Sequence, residues 1–410
     1  MMTHYDYLII GSGIAGVTAA ETIREKNSSA SIGIVSNEPH LLYSRVLIPS
    51  FLKHKISREQ LFLRRAEDFT VKSIDLHLGQ TVASIDPKFR AVKLESGLTF
   101  RFRKLLISSG GRVKSWGKKE DEDVIYRLQT IDDADRLNSA LGRLRQPLVI
   151  GSSFIALEFL EIFFLNNIAA SLLSRDTYFF SKIFDSQGGE LMQNNFQRHG
   201  IRTIFGDSAQ EVRHTEKELS VTTERKEEIK CDALSIGIGL DRNIEFLEGS
   251  GIELGEKGVR TDEFLQTNFK DIYAAGDAAE YFDTITGRLG ITANWTSAFL
   301  QGKCAGLNMV STPEPFKNVP AYSITNLGFQ ITAIGECNRE LETMVRLDKP
   351  NDQYEQLFIR EGTVAGAALI NRFQDRPHLA KLIETKTPIG PYLDKLQSFE
   401  FDIRSIPMLE

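Results

Sequence analysis

Two glycine turns and three carboxylates carry the residue types and spacings that could do chemistry in this chain. Gly11, Gly13 and Gly16 make a G-x-G-x-x-G run that follows the apolar stretch 7–10 and opens the alanine-rich stretch 17–24. The first glycine permits a tight turn, the second lets a pyrophosphate approach bare backbone, and the third lets the helix pack closely on the strand. The unpaired N–H groups and positive dipole end of that helix then face the phosphates. A further apolar stretch, 31–35, leads to Glu38. A carboxylate about 20 residues past the glycines accepts the hydroxyls of a ribose. The chemistry implied is retention of a dinucleotide with a free ribose; a glycine turn without a ligand is the alternative, and the strand-turn-helix-strand context argues against it.

The pattern occurs twice. Q-P-L-V-I-G-S-S-F-I-A-L-E, residues 146–158, repeats strand, glycine and helix about 140 residues after the first copy, and 169–173 supplies the next strand. This duplication predicts an α/β chain with two Rossmann-like dinucleotide-binding domains, one holding a dinucleotide tightly and one receiving a second. The second copy is altered. Gly151 is kept, but Ser153 stands at the second place and Ala156 at the third, while Ser174 takes the position of the ribose carboxylate and Arg175 follows it. Alanine still allows helix packing, a serine side chain falls where the pyrophosphate should meet backbone, and an arginine after the strand suits a 2'-phosphate. A surface arginine without function is the other reading of Arg175. The second site is thus weak, selective for a phosphorylated nicotinamide nucleotide, or empty. The third carboxylate, Asp277, ends Y-A-A-G-D, in which 271–275 reads as a strand and Gly276 as a turn. Asp277 is then expected at the mouth of a helix, favoured by the dipole, or as an N-cap alone.

The elements that must position these residues follow from pattern and length. A chain of 410 residues exceeds one ordinary core and predicts two or three domains. Short strand-like pieces at 75–78, 81–85, 91–94 and 99–102 lead into K-L-L-I-S-S-G-G, and helix-like runs cover 131–144 and 296–309. The loop 39–49, P-H-L-L-Y-S-R-V-L-I-P, suits a segment laid over a cofactor with Arg45 reaching a phosphate, or a loop packed on the core. Residues 118–123 read as a charged linker.

A net charge of −6 argues against a general nucleic-acid binder. Arg101, Arg103, Lys104, Lys114, Lys118 and Lys119 make a local basic neighbourhood, a solvated face or a docking patch for an acidic partner. Cys231, Cys304 and Cys337 have no C-x-x-C spacing, which fits a reducing cytoplasm and neither a disulfide framework nor a zinc site. No metal centre is expected. The longest apolar run, 154–173, is broken by Glu158, Glu161 and two asparagines, so a buried helix and strand are expected there and no membrane span. Nothing at the N-terminus reads as a secretory signal.

Taken together, these motifs resemble the flavoproteins with two dinucleotide-binding domains, the pyridine-nucleotide-dependent oxidoreductases related to disulfide reductases, over nearly the whole chain. The resemblance implies that Gly11, Ser12, Gly13, Ile14, Ala15 and Gly16 hold the ADP part of FAD, with Asn37, Glu38 and Val82. It places Ser44 and Arg45 of Y-S-R over flavin and pyrophosphate, Ser109 and Gly110 of I-S-S-G-G beside the cofactor, and Gly276, Asp277 and Trp295 at its flavin end, Asp277 bonding the ribityl chain. For the second nucleotide it implies Gly151, Ser153, Phe154, Ile155, Arg175 and Gly239, with Glu158 as an orienting carboxylate at the nicotinamide or flavin edge. A helix-surface glutamate is the plainer reading of Glu158. The implied domains are 1–112 with 245–311 for FAD, 113–244 for NAD(P)H, and a small α+β domain at 312–410.

No cysteine lies between residues 38 and 55, where the disulfide-reducing branches keep a redox thiol. The chain therefore looks more like the branch of rubredoxin reductases, ferredoxin reductases and the flavin module of assimilatory nitrite reductase. Segments 319–335 and 358–370 resemble the third domain of the rubredoxin-reductase and nitrite-reductase type, and the lysine of some ferredoxin reductases corresponds to Ser50. The implied activity is an FAD-dependent NAD(P)H oxidoreductase, taking hydride from NADH or NADPH and passing electrons to a small rubredoxin-, ferredoxin- or reductase-like partner or complex subunit. The alternative is an FAD electron-relay subunit that no longer binds NAD(P)H.

Overall fold

The computed structural model describes residues 3–116, 123–215 and 218–409. The chain divides into two compact units, Met1–Leu47 with Ile56–Arg112 and Leu240–Asn318, and Ile48–Lys55 with Val113–Gly239 and Val319–Glu410.

In the first unit the strand Thr3–Ile10, apolar and buried over its second half, is central because both its flanks are paired. It runs parallel to Ile32–Val35 on one side and to Thr99–Ile107 on the other. Ile74–His77 extends the sheet beyond Ile32–Val35, and Ile272–Ala274 pairs parallel with Thr99–Ile107. Registers are shared: Ile10 faces Val35 and Ile107, and Ala274 faces Ile107. The segments beginning at Gly11, Ser36, Ser108 and Ala275 therefore leave the sheet along one edge, the edge where parallel sheets bind ligands.

Helix Ile14–Lys26 packs on helix Trp295–Val310 almost backbone to backbone. A Cβ at Gly302 would come 2.2 Å from the Ala15 carbonyl oxygen, and one at Gly306 would come 2.9 Å from that of Ala19. The contact is buried by Ala15, Ala19, Ala298 and Ala305.

The second unit has its own parallel sheet, in the order Arg202–Phe205, Ser171–Ser174, Leu148–Ile150, Leu234–Ile236, Ile125–Tyr126. Helix Phe154–Leu165 is buried on nearly every side, as a sequence apolar but for Glu158 and Glu161 requires. An antiparallel sheet of Ala321–Asn326, Phe329–Gly335, Thr363–Ile370, Gln353–Arg360 and Glu342–Asp348 follows, with helix Arg376–Thr385 on it. Phe154, Phe180, Phe179 and Phe196 make a continuous run of ring contacts, with centroids 4.5–5.0 Å apart.

The expected class, two Rossmann-like domains and a smaller C-terminal α+β domain, is the observed one. One local expectation is overturned. Asp277 does not open a helix: Gly276–Ala278 is a single 3-10 turn running straight into strand Ala279–Asp283, and the next long helix starts at Trp295. Gly276 at φ +74° turns the chain too sharply for a helix to begin there, so no dipole of any size supports Asp277. The expected linker 118–123 lies outside the described residues except for Asp123.

The close helix crossing gives a direct test. Gly302→Val should destabilise the protein by about 1–3 kcal/mol through overpacking, read as a lowered denaturant midpoint at unchanged m-value.

Candidate dinucleotide sites

The first glycine turn is forced by two backbone contacts. Gly11 lies at φ +104°, and a Cβ there would sit 2.2 Å from the Ser108 carbonyl oxygen; at Gly16 it would sit 2.0 Å from the Gly11 oxygen. The Ser108 hydroxyl donates to the Ile10 carbonyl at 2.8 Å and fixes the neighbouring strand end. Gly13 differs, because a Cβ there would meet nothing within 4 Å. Nothing inside the chain demands a glycine at this place, so the demand fits a bound group. Gly13 is also the N-cap of helix Ile14–Lys26, and no side chain caps that helix. Its first N–H donors are left for a ligand.

The remaining residues assigned to this site all lie in the first unit. Ser12 and Ser44 are buried, Asn37 is exposed, and Val82 packs on the sheet core next to Leu94. Glu38 accepts from the Tyr43 hydroxyl and from Arg45 Nη2, the latter at 2.9 Å. Arg45, expected at a phosphate, here ends on this carboxylate. The Ser109 hydroxyl is buried without a partner, and its carbonyl and that of Gly110 accept from Asn243 at 3.2 and 3.0 Å. Gly276 donates to Gln301 Oε1 at 2.8 Å, while Gln301 Nε2, fully buried, has no partner. Burial pushes the Asp277 carboxyl up, against the pull of Arg242 and Arg45. Trp295, half-buried, begins the helix that Asn294 caps through the Ser297 N–H at 2.8 Å. Unpaired polar atoms at Ser109 and Gln301, with a bare helix start between strand ends, fit the polar groups of a dinucleotide such as FAD.

The second turn has the same frame and a different start. Gly151 lies at φ +122°, its Cβ position 2.3 Å from the Gly237 oxygen. Ser153, however, caps its own helix: the hydroxyl accepts from the Ala156 N–H at 3.2 Å and donates to the Gly237 oxygen at 2.7 Å. The hydroxyl is thus turned inward, and it consumes a donor that the first turn leaves free. Phe154 packs edge-on to Tyr322, centroids 4.5 Å apart, and Ile155 is half-buried beside it. Ser174 is buried and accepts from the Asp176 N–H at 3.1 Å; Arg175 is exposed. Gly239, at φ +104°, accepts from the Lys114 N–H at 3.0 Å.

Glu158 is buried, not a surface glutamate. Its Oε2 lies 2.8 Å from Lys53 Nζ, and the same ammonium contacts Glu161. Asn326 Oδ1 also accepts from Lys53, at 3.3 Å. Sequence reasoning missed Lys53, because it lies three positions past Ser50, at the end of the short helix Ile48–Leu52. A signal existed: two glutamates on an otherwise apolar buried helix require a cation.

Other expectations are redistributed. Arg101 and Arg103 line an open basin of about 460 Å³ with His4, Lys88 and Arg90. That basin lies at the start of the strand whose far end carries Gly11. Lys104 leaves the patch to donate to the Met309 carbonyl at 2.7 Å, Lys114 belongs to the other unit, and Lys118 and Lys119 lie outside the described residues. Arg101 and Arg103 thus share one face while Lys104 points away from it, because alternate strand residues face opposite ways. Burial pushes the thiols of Cys231, Cys304 and Cys337 up, to about 12, 11 and 12, so none is a thiolate at neutral pH. Among the described residues no helix is long and apolar enough to cross a membrane.

Residues 5–302 match the pyridine nucleotide-disulphide oxidoreductase family, and residues 320–387 match the rubredoxin NAD+ reductase C-terminal domain. The chain belongs to the pyridine nucleotide-disulphide oxidoreductase family, whose members are oxidoreductases that use FAD and NAD(P)H. It is 26% identical over 386 residues to the 3-phenylpropionate/cinnamic acid dioxygenase ferredoxin--NAD(+) reductase component of Photorhabdus laumondii subsp. laumondii, covering 93% of this chain and 97% of that one. It is 24% identical to the NADH-rubredoxin oxidoreductase of Clostridium acetobutylicum, covering 92% and 94%. The ferredoxin reductase for the CYP199A2 system of Rhodopseudomonas palustris shares the fold, with a TM-score of 0.89, 21% identity and coverage of 97% and 99%.

Two substitutions probe the two turns. Gly13→Glu should abolish flavin retention by placing bulk and charge against the pyrophosphate, and purification with stoichiometric FAD would refute the assignment. Ser153→Gly should cost only a few tenths of a kcal/mol as a cap change, while tightening nicotinamide nucleotide binding measured by calorimetry.

Proposed function

We propose that this chain is an FAD-dependent NAD(P)H oxidoreductase that passes electrons one at a time to a small ferredoxin- or rubredoxin-like iron–sulfur protein. The observation that carries it is the first turn: an uncapped helix start, with a Cβ's worth of open space at Gly13, on the edge where four parallel strands end. Bound there, FAD supplies hydride acceptance and single-electron release.

The protein's own contribution is binding and orientation. Glu38 is the acceptor for ribose hydroxyls, with Tyr43 and Arg45 holding its carboxylate in place. Asp277, under the pull of the Arg242 and Arg45 charges, is the acceptor for the ribityl chain. In the second unit the turn at Gly151 receives the nicotinamide nucleotide, and Glu158, held by Lys53, orients its ring. Phe154 and Tyr322 make an apolar wall beside that carboxylate and keep water from it. No protein thiolate is available, which supports outward electron transfer rather than disulfide chemistry. The relatives with ferredoxin and rubredoxin in their names support the class of acceptor.

The inward Ser153 hydroxyl supports a second reading, an FAD relay subunit without a nicotinamide substrate. Mixing the yellow protein with NADH or NADPH under argon separates the two. Prompt bleaching at the flavin maximum is expected; bleaching by dithionite alone would establish the relay, and a colourless protein that refuses FAD would refute both. Arg175→Ala is expected to weaken NADPH binding and leave NADH binding unchanged.

A further inference from the structure

Helix Phe154–Leu165 carries Glu158 and Glu161 three residues apart, so both carboxylates lie on one helix face. Each side chain is only 11% exposed, and the Lys53 ammonium between them is 6% exposed. Among the described residues the other groups facing the cluster are neutral: Asn326 accepts from Lys53, Tyr322 stands near Glu158, and the Leu327 N–H donates to Glu161 Oε1 at 3.1 Å. One cation therefore serves two buried carboxyls. A second ionised carboxylate would be a buried charge without a counterion, and such a group takes up a proton instead.

We propose that Glu158 holds one exchangeable proton beside Lys53, with Glu161, on the same ammonium, as the positioning residue that keeps it there, and that the cluster releases this proton when a cationic nicotinamide ring binds beside it. The second half rests on the placement of the nicotinamide ring at Glu158. With the proton in place the cluster is neutral and accepts the uncharged ring of NADH or NADPH. Loss of the proton leaves one net negative charge, which favours the positive ring of NAD+ or NADP+. The balance is simple: protonated cluster plus NAD+ gives deprotonated cluster, bound NAD+ and one proton in solvent, with no electron moved. Burial raises the Glu158 carboxyl, in the direction this requires.

Two measurements on the flavin-loaded protein test the two halves separately. In the infrared difference spectrum of wild type minus Glu161→Gln at neutral pH, a protonated-carboxyl stretch should appear, and the same band should appear against Glu158→Gln. The buried Glu355 cancels in both differences. Absence of the band overturns the buried proton whether or not a nucleotide binds. Calorimetry of NAD+ and NADP+ binding in two buffers of different protonation heat should then show release of up to about one proton by the wild type, little by Glu161→Gln, and none with the reduced nucleotides. Binding without proton release overturns the coupling. Failure of every nucleotide to bind sinks the nicotinamide placement and the coupling with it, while the infrared band still decides the proton.

Discussion

The Ser108 carbonyl and the Gly11 carbonyl occupy the space where side chains at Gly11 and Gly16 would begin, and this double contact fixes the first nucleotide turn. Any side chain at either place would push the strand end at Ser108 or the helix at Gly16 by more than an ångström. Because strand register is shared across the sheet, such a displacement would reach Glu38 and Asp277, which follow neighbouring strands off the same edge. The close crossing at Gly302 extends the constraint: the helix that starts at the glycine turn is held by backbone contact along its first turns, so its N-terminus cannot be re-aimed by side-chain repacking. A precisely aimed set of N–H donors is what a pyrophosphate requires.

The second unit repeats the frame and changes one atom's allegiance. Gly151 meets Gly237 as Gly11 meets Ser108, yet Ser153 closes the helix start on itself. An N-cap serine stabilises a helix by about 1 kcal/mol, so the exchange trades ligand donors for internal order. A site built this way suits a nucleotide that arrives and leaves, whereas the uncapped first turn suits one that stays.

Much of this could be read from the sequence, for physical reasons that also mark where reading stopped. Glycine spacing reports backbone approach, so both turns and their order were readable, as were the short parallel strands from their unbroken apolar runs. Asp277 was misread because G-D after a strand is shared by helix starts and 3-10 turns, and only the next strand at Ala279 decides. The partner of Arg45 was hidden because the loop 39–47 folds back on Glu38 through Tyr43. Lys53 was invisible for a similar reason. Its role depends on a short helix delivering it to a glutamate 105 positions away, a distance no local pattern encodes.

Two buried ionic clusters in the second unit show what charge balance does. In the C-terminal sheet, Arg346 pairs with Glu355 at 2.6 Å and Arg372 with Asp375 at 2.6 Å, so each carboxylate has its own guanidinium. Arg346 also donates to the Phe401 carbonyl at 2.9 Å and stacks over the Phe399 ring, which ties the last segment of the chain to the sheet. This cluster buys little stability over an apolar core, but it fixes one register for the tail. The Lys53 cluster lacks that balance. Two carboxylates compete for one ammonium, and the surplus is too buried to be neutralised by water or salt. Glu161 meets the backbone through one oxygen, which accepts from the Leu327 N–H at 3.1 Å, and meets Lys53 through the other. An apolar residue there would match Lys53 with Glu158 but leave that buried N–H without its acceptor, so the second carboxylate serves the fold and unbalances the charge at once.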